Sequence, residues 1–313
     1  MHRFTLSQLS YFVATGSFGS LSEAARHLNV SQPSISSAIG QIEHVLGYSL
    51  FTRHNRFGVR LTPEGRQVFD QARHILALVD DIGAEGALTN SEPSGQVSVG
   101  CFDPLASLHL PGLLRSLKLA FPKVNVRYDI LRQPALHEAL LSGDLNLVLT
   151  YDTGVWEDVP STTIGRVTPF VIAAPMHPLA KRKSVSLADI VGEDYVLIDW
   201  PESKEYQLGL FSITGRIPKV VAYAPSLEML RGMVAHGFGI SISVTRPASD
   251  MSYDGQPIVC IPISDPIPAQ RVVICHSEAR FLTRASRLVM AHIIEHFRQE
   301  PEPLSRPSSR RRP

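Results

Sequence analysis

Residues 31–47 read SQPSISSAIGQIEHVLG, and the spacing within them predicts a helix with one buried and one displayed face. Ser31 is a good N-cap, and Pro33 falls in the first turn, where its missing N–H is harmless. Ile35, Ile39, Ile42 and Leu46 recur at helical spacing and define the buried face. The opposite face carries Gln32, Ser34, Ser36, Ser37, Gly40 and Gln41. Short hydroxyl and amide groups at the start of a helix can reach base edges and phosphates. A polar face is by default only a solvated one, so the neighbouring segments must decide.

Immediately upstream, Leu21, Ala24, Ala25 and Leu28 mark a short amphipathic helix separated from Ser31 only by Asn29 and Val30. Two helices joined by so short a turn form a helix-turn-helix, whose second helix enters the DNA major groove. An earlier helix from about Ser7 to Phe18, ended by Gly19, supports the pair through Leu9, Phe12 and Val13. Downstream, LFTRHNRFGVRLTPEG places two short apolar runs around a basic turn with Arg53, His54, Asn55, Arg56 and Gly58. That pattern predicts a two-stranded wing whose arginines touch the phosphate backbone. The formal net charge of the chain is only +1, yet residues 1–60 hold Arg3, Arg26, Arg53, Arg56 and Arg60 against Glu23 and Glu43. The local excess is positive and, with no lysine before Lys118, entirely arginine, which suits fork-like recognition of phosphate and guanine.

These residues resemble the LysR-type transcriptional regulators. The carriers are FVATGSFGSLSEAARHLNVSQPSIS, Leu46-Gly47, LFTR at Leu50 to Arg53 and LTPEG at Leu61 to Gly65, in matching order and spacing. The resemblance implies a winged helix-turn-helix over residues 1–65 that binds double-stranded DNA through Ser31, Gln32, Pro33, Ser34, Ser36, Ser37 and Gln41, with Arg53 and Arg56 on the wing. Thr62, Pro63 and Glu64 then start a long helix. Its apolar residues Val68, Ala72, Ile75, Val79 and Ile82 are spaced four, three, four and three apart, the seam of a coiled coil. In the family this helix pairs two copies, so residues 62–94 are expected to form a dimerising linker helix and hinge, giving a homodimer or homotetramer. Gly83, Gly86, Asn90, Ser91, Pro93, Ser94 and Gly95 mark the hinge.

Beyond it, strand-like QVSVG, VNVRYDI, LNLVLT, FVIAAP, YVLID, VVAY, ISISV and QRVVIC alternate with helix-like segments, among them LPGLLRSLKLAF, PALHEALLSG and SLEMLRGMVAHG. Such alternation predicts two α/β lobes with parallel sheets and crossovers. This half also resembles the LysR effector domain, built like a periplasmic solute-binding protein, through LPGLL at Leu110, SGDLNLVLT at Ser142, MHPLA at Met176, VSLADI at Val185 and HGFGISI at His236. The fold expected is α+β overall, with an effector-binding domain over residues 95–300. Its first lobe is expected at about 95–166 and 270–298, its second at about 167–269. Loops at the carboxyl ends of the strands line a crevice in such sheets. They nominate Cys101, Phe102, Asp103, Gln133, Thr150, Tyr151, Asp199, Trp200, Ser226 and Phe238 for a small-molecule effector.

Other chemistries find little support. Cys101, Cys260 and Cys275 are odd in number and widely spaced, giving neither a disulfide framework nor a zinc site. His292, Glu295 and His296 have the spacing of an inverted zinc-protease motif, but too little chain follows to supply a third ligand on a further helix. Neither a G-x-S-x-G elbow nor a Walker loop occurs, so no catalytic residue, metal or cofactor is expected. No apolar run reaches the ~18 residues of a membrane span and no secretory signal is visible, which predicts a cytoplasmic protein without membrane contact. Residues 299–313, ending Arg310-Arg311-Arg312, read as a disordered basic tail. The alternative function is an enzyme or a solute-binding protein with an attached DNA-binding module.

Overall fold

The computed structural model describes residues 4–54, 58–86, 92–154, 156–277 and 282–299, which fall into two compact units, one built chiefly from residues up to 95 and the other chiefly from the remainder. The basic tail, residue 300 onward, and Arg56 lie outside the described residues.

The first unit runs α1 (Leu6–Phe18), α2 (Leu21–Leu28), α3 (Gln32–Leu46), β1 (Phe51–His54), β2 (Gly58–Leu61) and α4 (Pro63–Gly86). Local chemistry sets its boundaries. Thr5 and Gln8 form a capping box on α1, Ser20 accepts from the Glu23 amide at the start of α2, and Ser31 accepts from the Ser34 amide at the start of α3. The turn between α2 and α3 hinges on Asn29, a non-glycine residue held at positive φ (54°), a conformation that asparagine tolerates. Phe12 is fully buried and meets Phe51 and Phe69 edge-on at 5.4 and 6.1 Å, with Ile35, Ile42 and Leu50 around it.

Here α4 departs from a simple coiled-coil helix. Ala72 is 1% exposed and packs, with Phe69 and flanked by Val68 and Leu76, into the core of its own unit, whereas Ile75 and Val79 stay 41% and 36% exposed. The five-residue stripe therefore divides: Val68 and Ala72 serve the winged unit, Ile75 and Val79 face outward, and the Ile82 side chain lies outside the described residues. The cause is that the first half of α4 must cover α1, and the apolar residues nearest the wing are taken for it.

The second unit continues with β3 (Gly95–Phe102), α5 (Asp103–Ala120), β4 (Val124–Leu131), α6 (Gln133–Ser142), β5 (Leu147–Tyr151) and β6 (Ser161–Val167). Next come β7 (Phe170–Ala173), α7 (Leu187–Ile190), β8 (Asp194–Ile198), α8 (Pro201–Leu210), β9 (Lys219–Ala224), α9 (Leu227–Ala235), β10 (Ser241–Ser243), β11 (Val259–Pro262), β12 (Gln270–His276) and α10 (Arg284–Gln299). One lobe is a five-stranded sheet in the order β4-β3-β5-β12-β6; the other holds the sheets β10-β7-β11 and β8-β9. The sheets are only partly parallel: β8 and β9 run parallel, as do β3 and β5, but β12 is antiparallel to β5 and β6, and β7 is antiparallel to both its neighbours. β12 thus returns the chain to the first lobe through Val273, which sits opposite Thr150 and Thr163.

Three further differences from the sequence reading have local causes. α5 begins at Asp103, with Pro104 in its first turn, and carries Pro111 inside it rather than at its start; the interior proline removes one backbone hydrogen bond, which seven buried residues on that helix offset. β6 escapes the apolar pattern because STTIGRV is mostly polar and exposed; β-branched Thr162 and Thr163 pair with Ile274 and Val273 of β12, and the register shifts at Ile164. β11 is four residues closed by Pro262, too short for alternation to register.

Candidate functional site

In the first unit the polar face of α3 is displayed. Ser31, Gln32, Pro33, Ser34, Ser37 and Gln41 are exposed, and Ser36 is half-buried. Two of them are already oriented: Ser22 Oγ donates to Gln32 Oε1 at 3.1 Å, and Gln8 Nε2 donates to Gln41 Oε1. Ser31 and Ser34 share a hydroxyl hydrogen bond of 2.7 Å at the first turn. Such groups, fixed before contact, can meet phosphates and base edges without first ordering long side chains. Arg53 lies on β1, in register with Val59, so its backbone belongs to the hairpin.

A residue that sequence reading passed over ties this face to the wing. Glu43 Oε1 accepts from the Leu50 amide at 2.7 Å and from the Phe51 amide at 3.4 Å. The carboxylate turns inward to the chain entering β1, which leaves the outward charge of residues 1–60 more arginine-dominated. Glu43→Ala should lower stability by about 1–3 kcal/mol, because two part-buried amides lose their acceptor, and Glu43→Gln should recover part of it. Thermal melts of the full-length variants check this; equal midpoints for Ala and wild type would refute the clamp.

In the second unit a cleft opens between the lobes. Phe102, at the end of β3, stands edge-on to Tyr151 and Trp200 with centroids 5.9 and 5.7 Å apart. These three line the cleft together with Ile198, Tyr206 and Thr245, contributed by the other lobe and the crossover segments. The space left is a cavity of about 50 Å³, room for a few ordered waters. Trp200 is locked in place: its Nε1 donates to Pro225 O at 2.7 Å, and the Arg132 guanidinium sits 3.8 Å over its ring while donating to the same carbonyl.

The other nominated residues lie elsewhere. Cys101 is wholly buried on β3 and Thr150 wholly buried on β5. Gln133, 1% exposed, donates to Thr150 Oγ1 at 3.1 Å and to Tyr151 O at 2.9 Å and accepts from Thr153 Oγ1, so it supports the cleft floor rather than facing the space. Asp103 is the first residue of α5, where a carboxylate complements the helix dipole. Asp199 is exposed with Lys204 at 3.9 Å, and Ser226 caps α9 through the Met229 amide. Phe238 is on an outer face, in a separate hollow with Met229, Met233 and Tyr253. Tyr206 was missed because it comes from a helix face, whereas Thr245 follows β10 as Trp200 follows β8 and could have been found by the same rule.

The remaining reactive groups are engaged or protonated. His292 bonds Ser116 Oγ at 2.9 Å, and Glu295 accepts from Gln299 Nε2. Burial, with His296 nearby, lowers the His292 pKa. The three cysteines are free thiols, each pushed by burial up to about 12 and so protonated near neutrality. Among the described residues no helix is long and apolar enough to cross a membrane.

Comparison with known proteins accounts for both halves. The family described as "Bacterial regulatory helix-turn-helix protein, lysR family" matches residues 6–66, and the "LysR substrate binding domain" matches residues 90–298. The chain is 29% identical to the HTH-type transcriptional regulator YybE of Bacillus subtilis over 93% of its own length and 98% of that protein. It is 26% identical to the transcriptional activator protein LysR of Escherichia coli, covering 90% of each. Among solved structures, HinK, a LysR family transcriptional regulator from Pseudomonas aeruginosa, is 32% identical, with a TM-score of 0.63 over 94% of this chain and 99% of that one. These relatives are transcriptional regulators, which does not favour the reading of an enzyme or a solute-binding protein.

Proposed function

Because this chain belongs to the LysR family of DNA-binding transcriptional regulators with an effector-binding domain, we propose that it acts in the cytoplasm as a homodimer or homotetramer whose α3 helices read an operator. A small molecule, bound unchanged between the lobes, shifts how the paired DNA-binding units sit. The DNA contacts are Ser31, Gln32, Pro33, Ser34, Ser36, Ser37 and Gln41 in the major groove and Arg53 and Arg56 on phosphate. Half-sites then lie about one helical turn, ~34 Å, or a multiple apart. Ile75 and Val79 pair the copies. The observation that carries the effector half is the aromatic cleft of Phe102, Tyr151 and Trp200, closed over by groups of the second lobe. A ligand there acts through its difference in affinity for two arrangements, typically ~1–3 kcal/mol.

Two measurements test the two halves. Arg53→Ala should weaken binding to every DNA sequence and reduce the slope of log affinity against log salt by ~1; an unchanged slope removes Arg53 from the phosphate contacts. Phe102→Ala should abolish the response to effector in operator footprints while basal DNA binding stays as in wild type, because Phe102 belongs to the second unit. A normal response from this variant would place the effector elsewhere, and consumption of the effector during the assay would restore the enzyme reading.

A further inference from the structure

The chemistry of the cleft lining narrows what it can hold. Among the described residues that line it, none carries a charge. Their polar atoms are mostly taken by one another: Gln207 Nε2 donates to Ile242 O at 2.7 Å, Tyr151 Oη and Thr245 Oγ1 share a hydrogen bond of 3.0 Å, and Ser243 Oγ donates to Thr245 O at 3.0 Å. Among the described lining residues, Tyr206 Oη is buried without a hydrogen-bond partner. Burial also pushes its phenol up to about 12, so near neutrality it remains an O–H donor.

Several charged groups beside the cleft have contacts of their own. Arg132 lies on the Trp200 ring and on Pro225 O, Lys204 sits near Asp199 and 4.9 Å from the Tyr223 ring, and Arg271 pairs with Asp152. Asp103 stands at the start of α5 beside Phe102, so the helix end that would draw an anion already has a carboxylate. A charged ligand entering this space would lose its hydration against a lining that carries no charge, a loss that outweighs ordinary packing gains.

We propose that the cleft, with its lobes parted beyond the space of about 50 Å³ seen here, takes an uncharged small molecule with a flat apolar ring and one hydrogen-bond acceptor, the ring against Phe102 and Trp200 and the acceptor on Tyr206 Oη. This rests on the reading of the cleft as the effector site. A single neutral carbonyl satisfies the orphan hydroxyl, and the ring finds aromatic edges and faces on two sides. The same floor discriminates against carboxylates and amines of identical shape, so charge rather than size selects the ligand.

Ring-matched probes test it on the full-length chain: benzamide, benzoate, benzylammonium and, as the ring alone, toluene, titrated by ligand-observed NMR. Benzamide should bind at least tenfold more tightly than benzoate or benzylammonium. Tyr206→Phe, which removes an oxygen that no protein group uses, should weaken benzamide about tenfold and leave toluene unchanged. Ser203→Trp, at a half-exposed lining position, should block all binding. Benzoate or benzylammonium binding as tightly as benzamide, and blocked by Ser203→Trp, would overturn the charge class while leaving the cleft as the site. Benzamide binding indifferent to Ser203→Trp would overturn the cleft reading itself, and failure of every probe to bind would overturn the proposal.

Discussion

Gly65→Ala should lower the melting temperature of the first unit by on the order of 10–20 °C and abolish operator binding at physiological temperature. An ideal Cβ on this buried residue would lie 2.0 Å from Leu50 O, 2.9 Å from Leu50 C and 3.0 Å from Thr62 Oγ1. The obstacle is backbone, and it cannot step aside cheaply. The Leu50 carbonyl accepts from the Thr62 amide at 3.0 Å, its own amide is held by Glu43, and its side chain is fully buried. Forcing a methyl group against it costs about 3 kcal/mol or more, and one kcal/mol moves the midpoint of a unit of this size by roughly 4–8 °C. Gly40 provides the control: a Cβ there meets nothing within 4 Å, so Gly40→Ala on exposed α3 should stabilise by about 0.5–1 kcal/mol. Calorimetry on the two full-length variants checks both signs; an unshifted midpoint for Gly65→Ala would mean that the β1 entry relaxes far more easily than its hydrogen bonds imply.

How much of this was legible in the sequence depends on range. The helix-turn-helix could be read because its determinants are local: Ser20, Ser31 and Asn29 fix starts and a turn within four residues of themselves, and Ile35, Ile39 and Ile42 repeat along one face. Glu43 could not be read, since its partners at Leu50 and Phe51 arise only once α3 and β1 are folded together. In the cleft the same division holds. Phe102, Tyr151 and Trp200 stand at or just beyond the carboxyl ends of β3, β5 and β8, where a layered sheet places ligand contacts. Tyr206 sits a turn into α8, and nothing in the spacing of PESKEYQLGL says which face of that helix meets the cleft. Phe238 read as a cleft residue because a glycine and a helix end precede it, yet the positive φ of Gly237 and Gly239 turns this stretch so that Phe238 joins Met229 and Tyr253 outside. Thr150 follows the strand pattern faithfully but is drawn inward by Gln133, a hydrogen bond between elements 17 residues apart.

Ile75→Asp should convert the assembly to single protomers and reduce operator affinity by ~10²-fold or more. The stripe on α4 distinguishes two roles by exposure alone: Ala72 is 1% exposed within its own unit, while Ile75 and Val79, one helical turn apart, keep 41% and 36% of their surface in solvent. An isolated exposed apolar residue needs no explanation, but two β-branched ones at i and i+4 form a continuous strip on a helix. Burying the exposed two-fifths of each against a second copy yields roughly 0.6–1.2 kcal/mol per side chain, counted on both protomers, so the strip contributes to holding a pair. An aspartate at 75 places a carboxylate in the middle of that contact, opposite its own symmetry mate, and neither finds a partner. The effect on DNA follows from linkage: two joined recognition helices bind the second half-site at high effective concentration, and separated ones do not. Light scattering should therefore report the mass of one chain, and the salt slope for operator binding should fall to about half, since each protomer neutralises only its own phosphates. Because Ile75 is exposed in the single chain, the melting temperature of the first unit should stay close to wild type at low concentration. Ala72→Asp should instead unfold that unit, which separates loss of pairing from loss of structure. An Ile75→Asp protein that keeps its assembled mass would show that the copies meet through another surface.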